Sequence, residues 1–492
     1  MKTADFRLLS TPLLLLALVA SLPAAPVCAD GMALWRQRAD LTEQFSAAIT
    51  SLADEVATDG DNDAAAQVRS WLRVRDPDKI YLYHATSAAV GALNALESDG
   101  APQWRCRLAT LRRDQADALF ELAQSALRQG DYSLSYELTL DALRENPDHE
   151  QARRILGFQQ HDGHWRTTFD VRQMKLGRVD TPEFGWLPSG YVERYQNGER
   201  RFQNRWMSAD EERQLRRELG QPWRVVTEHY TIDTSHSLEA GVRLGRRLER
   251  LYNVWRRVFV RYYANDAELE QLFTGRRSRR GDASPQRMRV VFYADREQYQ
   301  HALRGQLPPG IETTGYYWGE QRTAFFFGSP EPDYRTLYHE ATHQLFSESR
   351  PTVANVASAA NFWIVEGIAC YMESLAEADD YTTLGGNDIR LQAARQRRLV
   401  DDYYVPLGTL VEYGMEQLQR DPDIRRIYSE SSGLTHFLIH AERGRYRGAL
   451  VDYLRLIYSG RDRPSALGEL TGRTFSQLDE EYRTFLEDSQ GS

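Results

Sequence analysis

The sequence is poor in cysteine, poor in long hydrophobic runs and free of any block of basic residues long enough to be a nucleic-acid arm. Three Cys in 492 residues cannot build a disulfide framework. Only one stretch is continuously apolar, at the extreme N-terminus, which excludes a multi-span membrane protein. Lys+Arg 61 against Asp+Glu 70 gives a net charge of -9. With no basic arm either, a phosphate-reading surface is not indicated and no nucleic-acid partner is expected. Pro (18) and Gly (33) are too few for a collagenous or mainly disordered chain. What remains is ordinary globular composition, 41% hydrophobic and 27% charged. The length suggests about two to four domains.

The apolar run follows Lys2 and Arg7, extends from Leu8 to Leu22, is interrupted by Pro12, and leads to the small residues Val27 and Ala29. This is the pattern of a secretory signal peptide over 1–29, removed before Asp30. An uncleaved anchor is the alternative. Removing 1–29 takes Lys2, Arg7 and Asp5 and leaves 59 basic against 69 acidic residues. The expectation is an acidic, exported protein, secreted or periplasmic, with no membrane span after signal cleavage. Cys28 would leave with the signal, and Cys106 and Cys370 read as two free thiols.

From 30 to 160 the pattern is helical almost throughout, with polar breaks such as Asp76-Pro77-Asp78 and Gln129-Gly130-Asp131. A thirty-four-residue unit counted from Ala116 places Leu122-Ala123, Gly130, Tyr132, Ala142 and Pro147 where a tetratricopeptide repeat has its small, turn and closing residues. A second unit from Glu150 breaks down by Gly163. This region reads as a helical spacer, with a peptide- or partner-binding groove as the alternative. Residues 161–220 read as a small linking module punctuated by Trp165, Trp186 and Trp206. It has an Asn197-Gly198 hairpin signal and a Ser208-x-x-Glu211 capping box.

From 221 the texture is α+β. Strands are expected at 223–232, 287–293 and 323–327, with a Gly319-Glu320 hairpin and a long amphipathic helix over 238–263. The basic run Arg276 to Arg280 reads as a solvated loop. Beyond Asp333 the chain reads as mainly helical.

The chemistry lies in His339-Glu340-Ala341-Thr342-His343, inside a run over 334–348 that lacks Gly and Pro. On a helix, residues four apart project the same way, so His339 and His343 can meet one Zn²⁺ at about 2.0–2.1 Å. Glu340, beside the first ligand, is placed to take a proton from water rather than to bind metal. A third ligand is needed, and Glu366 opens the carboxylates of a second helical run over 361–373.

These two segments, Leu337-Tyr338-His339-Glu340-Ala341-Thr342-His343-Gln344 and Trp363-Ile364-Val365-Glu366-Gly367-Ile368-Ala369, resemble the gluzincin (peptidase-MA-like) clan of zinc metallopeptidases. The chain is most similar to secreted bacterial proteins of unassigned substrate that join tetratricopeptide-like helices to such a domain. The clan resemblance covers roughly 221–488. It implies zinc ligands at His339, His343 and Glu366, a general base at Glu340, and a substrate cleft beside a sheet edge, expected at Thr323–Phe327. In one branch a Tyr opening a later helix stabilises the oxyanion, and Tyr428 is similar, with His436 the alternative. His436 and His440 otherwise read as structural. Many gluzincins orient a ligand His through an Asp four residues after the ligand Glu. Here that position is Cys370, and Glu373 is the candidate substitute. No Gly-x-Met-x-Asn-like motif precedes the helix, so an endopeptidase is expected rather than an aminopeptidase. The alternative function is a non-catalytic binding module with a structural or degenerate zinc site, its N-terminal helices recognising a protein partner.

Overall fold

A computed structural model describes residues 29–85, 91, 93–98, 100–274, 286–305, 313–378 and 380–488. The signal peptide, apart from Ala29, and the run Arg276–Arg280 lie outside them. The fold is mixed α and β, with helix predominating and the strands gathered in small sheets. No helix among the described residues is long and apolar enough to cross a membrane.

The N-terminal part is built on α1 (Ala29–Thr58) and on the antiparallel pair α2 (Gln103–Arg128) and α3 (Tyr132–Glu145). Gly130, with φ 79°, supplies the left-handed turn between α2 and α3, and Asp131 caps α3 through Leu134 N–H. The helical reading fails at β1 (Lys79–Tyr83). Its alternation Lys-Ile-Tyr-Leu-Tyr buries Ile80 and Leu82, but the partner strand lies some three hundred residues away in sequence.

Residues 158–219 form three consecutive hairpin–helix units. Phe158–His161 pairs with His164–Thr167, Arg178–Thr181 with Gly185–Pro188, and Glu199–Phe202 with Arg205–Ser208. Each unit ends in a helix, and Trp165, Trp186 and Trp206 occupy the second position of the second strand in all three. The capping box at Ser208 and Glu211 is formed as expected. The hairpin expected at Asn197-Gly198 is not there. Those residues end the helix Val192–Gln196, with Gly198 at φ 87°. The third hairpin turns instead at Gln203 and Asn204, both left-handed at φ 46° and 64°.

The remaining chain carries β2 (Trp223–Val226), β3 (Tyr230–Thr234), α4 (Leu238–Val258), β4 (Met288–Tyr293), β5 (Tyr316–Trp318) and β6 (Thr323–Phe327). The single strand expected at 223–232 is two, split by a turn at Glu228 and His229. One five-stranded sheet results, in the order β5-β6-β4-β3-β2, with β4 parallel to β3 and β6 and both outer pairs antiparallel. Next come α5 (Tyr334–Glu348), α6 (Phe362–Met372), the hairpin β7 (Ala376–Ala378) and β8 (Tyr381–Gly385), α7 (Ile389–Leu399), α8 (Ile424–His440) and α9 (Arg447–Tyr458).

β1 pairs antiparallel with β8 over five residues, so the N-terminal part completes a sheet that begins just after α6. Ile80 and Leu82 share one core with Leu248, Leu345, Ile368 and Leu434. A buried ionic network reinforces the contact. Glu137 of α3 takes Arg447 of α9 at 2.8 Å and Arg38 at 3.2 Å, and Asp141 takes Arg75 at 2.6 Å. The N-terminal helices are therefore packed into the rest of the fold.

Candidate metal centre

Helix α5 spans the expected residues. Asp333 caps it by accepting from the Arg335 and Thr336 amides, and Leu337, Ala341 and Leu345 face the core. The opposite face therefore carries His339, Glu340 and His343, all half-buried. Helix α6 runs against α5 and buries every residue, Glu366 included, which leaves that carboxylate 7% exposed.

These elements bring the three expected ligands together. His339 Nε2 is 3.3 Å and His343 Nε2 3.9 Å from Glu366 Oε2, and one donor atom from each residue lies within 4.8 Å of the others. Ligand atoms at 2.0–2.1 Å from a tetrahedral centre sit about 3.3 Å apart. Two imidazole nitrogens and a carboxylate at this spacing suit a metal ion with little rearrangement.

The charges point the same way. Burial works against the Glu366 carboxylate, but His339, His343 and the Tyr428 hydroxyl outweigh it and hold it below its ordinary range. Burial also opposes charge on His339, yet Cys370, Glu366 and Glu373 together raise it well above the usual imidazole value. His343 is pushed down to about 4, by burial and by the neighbouring His339 despite Glu366. One imidazole is thus held neutral while the carboxylates favour positive charge.

Glu373 stands beside the first imidazole. His339 Nδ1 is 3.0 Å from Glu373 Oε1, which leaves Nε2 for the cluster. Arg390, at the start of α7, donates to both oxygens of the same carboxylate, at 3.0 and 2.9 Å. Cys370 Sγ stands 3.9 Å from His339 Nδ1. Cys370, His339 and Glu373 also fall within ligand distance of one another, but with Glu373 committed to Arg390 and the Cys370 thiol raised by burial, this is an ion pair with a thiol beside it. Arg390 was not legible in the sequence, since nothing in its spacing ties it to α5 or α6.

Glu340 Oε2 accepts the Tyr317 N–H at 2.9 Å. Burial and the nearby Glu366 and Glu373 push its carboxyl up to about 7, against the opposing pull of His339 and that N–H. Tyr317 belongs to β5, which among the described residues pairs with β6 alone. The sheet edge beside the cluster is therefore β5 and not Thr323–Phe327. That strand is paired on both sides, and its run Thr-Ala-Phe-Phe-Phe is buried accordingly. Tyr316–Trp318 is short and half-buried, as an edge tolerates.

Tyr428, in the second turn of α8, also reaches the cluster. Burial and the facing Glu366 carboxylate raise its phenol. Gly367 makes this approach possible, because a Cβ there would stand 2.6 Å from Thr435 Oγ1 and 2.7 Å from Ser431 O of α8. His436 is elsewhere, fully buried, with Nδ1 on Ser432 O at 2.9 Å and Nε2 3.6 Å from Asp388. His440 bonds the Tyr371 hydroxyl at 2.9 Å. Neither joins a ligand cluster among the described residues. Cys106 and Cys370 are free, the first half-buried and the second buried. No family model matches the chain, and no curated protein matches it either.

Proposed function

We propose that the protein is an exported zinc-dependent metallopeptidase, most simply an endopeptidase. Its gluzincin-like domain over 221–490 would follow tetratricopeptide-like helices over 30–160. The observation that carries this is the convergence of His339, His343 and Glu366 from two helices, with Glu340 bonded to the adjacent sheet edge. Zn²⁺ held by these three residues would supply Lewis acidity and lower the pKa of a water at an open position.

The other roles fall to the chain itself. A peptide laid along β5 would be fixed by backbone hydrogen bonds, as extended segments are at exposed edges. Glu340 keeps one oxygen on Tyr317 N–H, which orients the carboxylate, and takes the proton of the attacking water on Oε1. Its raised pKa suits a group that accepts and returns a proton near neutrality. The Tyr428 hydroxyl, kept protonated, donates to the oxyanion as the carbonyl carbon becomes tetrahedral. Arg390 and Glu373 hold the His339 ring throughout.

The test compares zinc content and hydrolysis of an unstructured protein for the wild type and Glu340→Gln. Both should hold one Zn²⁺ per chain, with hydrolysis chelator-sensitive and falling at least 10²-fold in the variant. If both hold zinc and neither hydrolyses, a non-catalytic binding module is the correct reading. If neither holds zinc, both metal readings fall.

A further inference from the structure

The five-stranded sheet has a second edge. Among the described residues, β2 pairs with β3 alone. Across the turn, Thr227 N–H donates to Tyr230 C=O at 3.0 Å. By the alternation of an antiparallel ladder, Val225 and Trp223 then bond β3, while the N–H and C=O of Arg224 and Val226 point away from it. Beside this edge lies a cavity of about 1920 Å³, lined by every residue from Trp223 to His229 and separate from the metal cluster. The hairpin–helix units form another wall, and α4 runs along it from Leu238 to Arg257, about 28 Å of helix. The volume exceeds the roughly 300–1,000 Å³ of small-molecule pockets.

Ten arginines line the cavity. Arg216 is paired with Glu212, Arg246 with Asp180 and Arg154 with Glu150, while Arg224 and Arg250 are neutralised from outside the lining by Asp233 and Glu377. Arg257 is not so balanced. It has no carboxylate partner among the described residues, and beside it stands Arg256, whose Nε meets the Tyr263 hydroxyl at 3.3 Å and not a carboxylate. Gly245 packs on Thr227, where a Cβ would come within 2.9 Å of Thr227 Cγ2. Arg257 therefore lies about 18 Å further along α4, the reach of about five or six extended residues.

We propose that this second edge binds an extended, acidic peptide segment, which adds a strand beside β2 and sets a carboxylate on Arg257. Main-chain bonds to Arg224 and Val226 give affinity, and Arg257, uncompensated beside Arg256, selects an acidic side chain. The site depends on the β2 edge and its charge, not on hydrolysis at the metal centre.

The test measures anisotropy of a labelled ten-residue peptide alternating Val and Glu, with full-length Glu340→Gln protein, against a peptide alternating Val and Lys. Saturable binding of the Glu peptide is expected, at least tenfold tighter than the Lys peptide and unchanged by a zinc chelator. Arg257→Glu should weaken it at least tenfold, as should Val226→Pro. Should Val226→Pro fail to fold, a Glu peptide N-methylated at alternate residues reads the same edge and should bind at least tenfold more weakly. Absence of saturable binding overturns the proposal, as do equal affinity for both peptides, full affinity after Arg257→Glu, or full affinity of the N-methylated peptide. Loss of binding on chelation would place the peptide in the metal cleft and overturn it too.

Discussion

The Glu373 carboxylate sits between His339 and Arg390, 3.0 Å from the imidazole Nδ1 and doubly bonded by the guanidinium. A ring held at Nδ1 by an acceptor presents Nε2 in a fixed tautomer and direction, and partners of this kind usually contribute 10–100-fold in metal affinity. Glu373→Gln and Arg390→Ala should each weaken zinc retention by about that factor, read by competition with a chromogenic chelator. The arginine variant tests the whole chain of contacts, since Arg390 touches no ligand itself. Retention equal to wild type in both variants would sink the idea that this ion pair orients His339.

The parts of the site fixed by local pattern were legible in the sequence. Helix α5 runs over 334–348 because one apolar face and an Asp333 cap suffice to define it, and residues four apart on it meet without help from the rest of the fold. What depended on distant partners was not legible. Tyr316–Trp318 is legible as one arm of the hairpin at Gly319-Glu320, but nothing local says that it, and not the apolar Thr323–Phe327, is the edge. Strand β1 reads as a break among helices until β8 supplies its partner. Arg390 becomes part of the site only once α7 folds back onto α6. The spacing of Trp165, Trp186 and Trp206 matches the three repeated units, but three tryptophans alone mark a linking module without defining its hairpins.

Gly367 lets α6 close on α8, with Ser431 O and Thr435 Oγ1 where a side chain would stand. One of those neighbours is backbone, so it cannot rotate away. Gly367→Ala should destabilise the protein by about 1–3 kcal/mol through overpacking, and shift Glu366 away from the two imidazoles. Denaturant unfolding should show the loss of stability, and zinc retention should fall with it. Unchanged zinc retention would mean that α6 accommodates the methyl group without moving Glu366.

Arg447 and Glu137 are each less than a tenth exposed and join α9 to the N-terminal helices at 2.8 Å. Removing one partner of a buried pair leaves the other charge uncompensated, at a cost of roughly 3–5 kcal/mol. Arg447→Met should lower stability by about that amount, somewhat less if Arg38 satisfies Glu137 alone. Because β1 and β8 share a sheet, unfolding should remain a single transition that fluorescence and far-UV dichroism report together. Two separated transitions would show that the N-terminal helices are an independent unit.

Glu430 is fully buried on α8, beside the Tyr482 hydroxyl. Burial pushes its carboxyl up to about 8, with Asp479 adding to the shift and Arg398, the Tyr482 hydroxyl and Arg397 opposing it. The sign follows from proton counts. Between the ordinary carboxyl value of 4.5 and about 8, the folded state holds a proton that the unfolded state has released, so stability falls as pH rises through this window. At 1.36 kcal/mol per unit the full loss is on the order of 5 kcal/mol. Glu430→Gln replaces the protonated acid by a neutral group of the same shape. Its melting temperature should match the wild type below about pH 4.5, exceed it increasingly up to about pH 8, and hold a constant margin above that. A constant offset between the two proteins at every pH would show that Glu430 does not titrate in this range.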